Sequence, residues 1–174
     1  RISPCRRAAA AWWPWWSRCR IGPWQTRPTM TPDVNVLLAA FRSDHPHHAV
    51  ASDWLQSALA GAATGRSLVL LPMAVSGFIR LATHEKVFRE PAPSHAAIAF
   101  IDSLLAIPSV EMAELGREWP AFRRLLRENS VSGNDVPDAW IAATVQTLGE
   151  NLATFDRGFG RLLGRNELTL LRPV

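Results

Sequence analysis

From Met30 onward, short apolar runs alternate with longer stretches in which apolar residues recur every three or four positions. This alternation predicts a mainly parallel sheet covered by helices. A strand buried on both faces reads as a continuous apolar run, and a covering helix is apolar along one stripe. A first short strand should end at Asp33 and give way to a helix through Val36 to Phe41. Asp44 is placed to cap a second helix carrying Trp54, Leu55 and Leu59 on one face. Residues 67–71 read as a buried strand, and Pro72 leads into a helix with Val75, Phe78, Ile79 and Ala82. Ser94 suits the N-cap of a helix bearing Ile98, Ile101, Leu104 and Leu105, which Pro108 stops. Residues 110–113 form a candidate strand, and 117–127 an amphipathic helix with Trp119, Phe122 and Leu126 facing in. The loop 129–134 precedes a helix that holds Asp138 and stops at Gly149. Residues 151–154 form the next strand, with Asp156 at its carboxyl end, and 168–171 a final edge strand before Pro173.

A chain of 174 residues fits one domain with an appendage, and charge divides it the same way. Residues 1–29 hold six arginines and no acid, whereas residues 30–174 hold 13 basic and 15 acidic residues. The overall charge of +4 therefore comes from the first segment, and the domain itself gives no electrostatic sign of nucleic-acid binding. Both cysteines, Cys5 and Cys19, also lie in that segment, which excludes a disulfide framework or thiolate zinc site from the domain. A reducing cytoplasm is the expected compartment.

Residues 1–29 carry five of the eight tryptophans without periodicity. Pro14 interrupts any signal-peptide core, and the apolar stretch is too short to span a membrane. Interleaved Arg and Trp could stack on single-stranded RNA or rest at a lipid interface. The favoured reading is translated sequence upstream of a start at Met30, expected to be disordered.

Three aspartates fall where strands should end or a helix begin: Asp33, Asp138 and Asp156. Carboxylates distant in sequence but convergent at one sheet edge suit a hard divalent cation. Each has an ordinary structural explanation. Asp135 and Asp138 can be read as capping their helix, and Asp33 and Asp156 as turn formers. Asn35 and Thr154 stand two residues from Asp33 and Asp156 and could orient a carboxylate. His45, His47 and His48 resemble a metal cluster, yet Pro46 and the loop setting favour a solvated helix start. Arg117, Arg123, Arg124 and Arg127 form a basic face that could follow RNA, although a solvated face is more ordinary. Trp54, Trp119 and Trp140 are expected in the core or an interface.

The order Asp33-Val-Asn-Val-Leu-Leu38, then His45-Pro-His-His48 leading to Trp54-Leu55, Phe78-Ile-Arg80, Pro137-Asp138-Ala139 with Ile141-Ala-Ala143, and Thr154-Phe-Asp-Arg-Gly-Phe159 resembles PIN-domain ribonucleases. More narrowly it is similar to the toxins of VapBC-type toxin–antitoxin modules, over residues 30–173. The resemblance implies a three-layer α/β/α fold with a short, mainly parallel sheet. It also implies cleavage of RNA, transfer or ribosomal, dependent on Mg²⁺ or Mn²⁺. A homodimer and an antitoxin that occludes the acidic site are further implications, the latter by an inserted arginine matched to paired carboxylates. On this reading Asp33, Asp138 and Asp156 are the metal-holding catalytic residues, and Arg157 and Arg80 contact the substrate phosphate. The chain departs from the family at Gly77, where a Glu is common three residues before the position of Arg80. Asp135 is the candidate substitute for that lost carboxylate. The alternatives are a catalytically silent PIN-like module that binds RNA or antitoxin, and a housekeeping RNA-processing nuclease.

Overall fold

The computed structural model describes residues 29–61 and 67–172. The expected disorder of 1–29 falls almost wholly outside that range, as does Pro173. Five strands make one parallel sheet: β1 (Met30–Pro32), β2 (Leu68–Leu70), β3 (Val110–Met112), β4 (Asn151–Thr154) and β5 (Leu168–Leu170), in the order β3-β2-β1-β4-β5. Six α-helices among the described residues flank it: α1 (Val34–Phe41), α2 (His48–Gly61), α3 (Pro72–Ala82), α4 (Ser94–Leu105), α5 (Trp119–Glu128) and α6 (Val136–Leu148). This is the parallel sheet covered by helices that the apolar pattern predicts, in the α/β/α arrangement that the family resemblance implies. The buried Leu68–Leu70 run is an interior strand, between β3 and the central β1, and Leu37 of α1, Phe78 of α3 and Ile141 of α6 share its core.

Strand order makes the site. From β1 the chain moves outward through β2 to β3, then returns across to β4 on the other side of β1. The loops leaving β1 and β4 therefore run apart and open a crevice at the carboxyl ends of those strands. Pro32 pairs with Ala153, so Asp33 and Thr154 emerge side by side.

Several helix starts differ from the expectation. Asp44 pairs with Arg42 (2.5 Å) and caps nothing, and α2 begins four residues later. Ser94 is the first residue of α4, whose N-cap is Pro93, without a side-chain bond. Helix α5 starts at Trp119 with Pro120 in its first turn, buries Leu125 and leaves Trp119 61% exposed. Trp140 is also exposed, whereas Trp54 packs against the core as expected. Gly149 does end α6, in the left-handed conformation (φ 72°) that a glycine adopts without a Cβ penalty.

Candidate active site

Asp33 lies at the crevice because β1 ends there and its carboxylate caps α1, taking the Val34 N–H on Oδ1 (2.7 Å). The Thr154 hydroxyl (2.7 Å) and the Asn35 amide (2.6 Å) both donate to Oδ2. Asn35 also donates to the Thr154 oxygen (2.9 Å) and accepts from the Phe155 N–H (3.2 Å). Asn35 from the first turn of α1 and Thr154 from the end of β4 thus orient Asp33 together and leave Oδ1 one lone pair. Burial nevertheless pushes the Asp33 carboxyl up to about 6. The Thr154 and Val34 bonds oppose that rise, and repulsion from Asp138 and Asp156 adds to it.

Asp138 stands in the first turn of α6, half-buried, and Asp135 precedes that helix without making a side-chain capping bond. The capping explanation therefore holds for position, with Asp135 at the N-cap and Asp138 in the first turn, but no side-chain capping bond forms. Burial raises the Asp138 carboxyl, Asp156 and Asp135 raise it further, and Arg161 works against them. Asp156 is exposed and does serve a turn: its Oδ1 accepts the Gly158 N–H (2.6 Å) at the start of a short 3₁₀ turn, Arg157–Arg161. Its own N–H donates to Thr154 (2.9 Å), which joins it to the Asp33 network.

These three carboxylates line one cleft of about 440 Å³, together with Asn35, His45, Gly77 and Arg80. Among the described residues no three His, Cys, Asp or Glu side chains already stand close enough to grip one ion. The aspartates converge without closing on a common point. Their chemistry suits a hard cation: all donors are oxygens, and Asp33 has carboxylate neighbours that raise its pKa. A divalent ion would relieve that repulsion once the half-buried Asp138 and exposed Asp156 side chains turn inward.

A second recess of about 150 Å³ adjoins the first, lined by Asp135, Asp138, Asp156 and Arg161. Arg161 was not legible as a site residue, because only the 3₁₀ turn brings it back toward α6. It donates to Asp135 Oδ2 at 3.2 Å, so Asp135 faces this recess as an ion-pair partner. Arg80 lines the main cleft as expected, whereas Arg157 lines neither recess. The basic group beside Asp138 is thus Arg161, one turn beyond the expected residue.

Gly77 is held by packing. A Cβ there would stand 2.8 Å from Val34 Cγ2, on the helix that Asp33 caps. The three histidines take separate roles. His45 lines the cleft, with its pKa lowered by burial and by His47. His47 stacks on Phe155 (4.8 Å between centroids), and His48 Nδ1 meets the Ala39 carbonyl at 2.9 Å.

The PIN domain family matches residues 30–163 of the chain. VapC ribonuclease Mb2897 of Mycobacterium bovis is 37% identical over 130 residues, which are 74% of this chain and 86% of that protein. Ribonuclease VapC31 of Mycobacterium tuberculosis is 34% identical over 130 residues, 74% of this chain and 89% of the relative. Among solved structures, VapC20 of Mycobacterium tuberculosis, described as a sarcin–ricin loop cleaving toxin, superimposes with a TM-score of 0.55 at 16% identity. The match covers 75% of this chain and 92% of that one. VapBC2 from Rickettsia felis, bound to a promoter DNA fragment, gives 0.57 at 13% identity over 83% and 99% of the two chains. At such identities the structural likeness speaks for the fold alone.

Proposed function

This chain belongs to the PIN-domain family and is a ribonuclease of the VapC class; from that premise we propose that it is the toxin of a VapBC-type pair, hydrolysing RNA phosphodiester bonds with Mg²⁺, or Mn²⁺, in the acidic cleft. The observation that carries this reading is the convergence of Asp33, Asp138 and Asp156, drawn from three distant segments, on one cleft.

Asp33, Asp138 and Asp156 would hold the ion. When bound, it supplies the positive charge that neutralises a phosphate oxygen and makes a water more acidic. Asn35 and Thr154 keep Asp33 aimed into the cleft, so that the carboxylate does not swing to solvent. Arg80 lines the cleft and Arg161 the adjoining recess that holds Asp138, where a guanidinium can meet a phosphate oxygen. To do so Arg161 must leave Asp135, an exposed pair of little stability. The substrate class is transfer or ribosomal RNA. The partners are a second copy and an antitoxin whose arginine would pair with the same carboxylates.

The test is cleavage of total RNA by the chain with Mg²⁺, with EDTA, and as Asp138→Asn. Fragments should appear only for the wild type with the ion. Identical RNA patterns in all three arms would favour a silent binding module, a reading that Gly77 and the open spacing of the aspartates support.

A further inference from the structure

The sequence leads one to expect Trp119 and Trp140 in the core or an interface, and the structure exposes them by 61% and 43%, which leaves the core out. They do not stand alone. Phe122 lies between them, with ring centroids 5.9 Å from Trp119 and 5.7 Å from Trp140. The Trp140 ring is fixed in place: its indole N–H donates to Glu118 Oε1 (3.2 Å), while Glu118 Oε2 takes the Gly116 N–H (2.7 Å). Glu118 is buried, so its charge is committed to holding the indole rather than facing solvent.

Trp119, Arg123 and Arg127 are spaced four residues apart and form one row along α5, roughly 12 Å long. Arg123 and Arg127 are exposed and make no ion pair among the described residues, whereas Arg124 is engaged with Gln146 and near Glu128. Of the exposed acids close by in sequence, Glu128 lies 4.0 Å from Arg124, and Glu111 and Glu114 belong to β3 and the loop after it, before the row begins. Beyond Arg127 the chain runs into Asn129 and Val131, which line the recess holding Asp138, Asp156 and Arg161. The row therefore leads from exposed rings, past free guanidinium groups, to the carboxylates.

We propose that the Trp119–Phe122–Trp140 strip with Arg123 and Arg127 is a stacking platform that seats an unpaired stretch of RNA and delivers its backbone to the acidic cleft. The rings meet the faces of splayed bases, which every base offers whatever its sequence, and the arginines meet the phosphates between them. Free cations on the row favour a polyanion over a second protein surface, which would require acids to meet them. This inference rests on the ribonuclease reading above and adds where on this chain the bases and phosphates next to the cut are held: the outer faces of α5 and α6.

The test uses the full chain. Anisotropy of a labelled RNA oligonucleotide is measured on Asp138→Asn, which blocks cleavage, with and without Trp119→Ala. Loss of the ring should weaken single-strand binding by about tenfold, Trp119→Phe should restore most of it, and binding of the same sequence as a duplex should not change. With Asp138 intact, Trp119→Ala should raise KM and leave kcat unaltered. Unchanged single-strand affinity would overturn the platform, and so would a halved mass in sedimentation, which would assign the strip to a second copy. Cleavage with unaltered KM sinks the platform and spares the nuclease. Trp119-dependent binding without cleavage does the reverse.

Discussion

Asp33 accepts three hydrogen bonds and still titrates near pH 6, because burial outweighs them and two carboxylates stand nearby. The folded pKa lies above the unfolded one, so the metal-free protein is stabilised while Asp33 is protonated. That contribution is complete below about pH 4 and lost as pH rises through 6. The rise from 3.8 to about 6 corresponds to about 3 kcal/mol. In EDTA, the unfolding free energy of the wild type relative to Asp33→Asn should fall by that order between pH 4 and 7. A flat difference would mean that the carboxylate is solvated. The same repulsion gives a metal signature: Mg²⁺ should raise the melting temperature by several degrees at pH 7.5, less at pH 5, and not at all in Asp138→Asn. Calorimetry checks this, and an equal rise in the variant would place the ion elsewhere. Asp33, Asn35 and Thr154 were legible as neighbours, since a parallel fold puts strand ends together. Arg161 was not, because a 3₁₀ return leaves no periodicity to read.

Among the elements, the packing of α1 on α3 carries its own prediction. A glycine inside α3 ought to cost about 1 kcal/mol against alanine, yet Gly77 lies where a methyl would meet Val34 Cγ2 at 2.8 Å. Val34 is branched at Cβ and stiff, so it yields poorly. Gly77→Ala should therefore destabilise by about 1 kcal/mol in spite of its helix propensity, and should stabilise by a similar amount when made with Val34→Ala. Denaturant melts of the double-mutant cycle check the sign; additive effects would show that the two helices adjust freely. Sequence alone shows the missing carboxylate at 77 but not why it is missing, since the cause is a contact between helices. Strand positions were readable to within a residue, because buried runs such as 67–71 are bounded by breakers. Helix starts were less so: Asp44 and Ser94 look like caps locally, but pairing with Arg42 and the turn at Pro93 override them.

At the scale of the molecule, alternating runs implied a parallel sheet but not its order β3-β2-β1-β4-β5, from which the crevice between β1 and β4 follows. What no pattern disclosed is how open the aspartates are, because that depends on rotamers in a cleft of about 440 Å³. No helix among the described residues is long and apolar enough to cross a membrane. The bond from Thr154 to Asp33 joins residues 121 positions apart. A growing polypeptide thus presents β1, with its capped aspartate, long before β4 exists to sit beside it. Until β4 has been made and has folded beside β1, the pocket is not assembled.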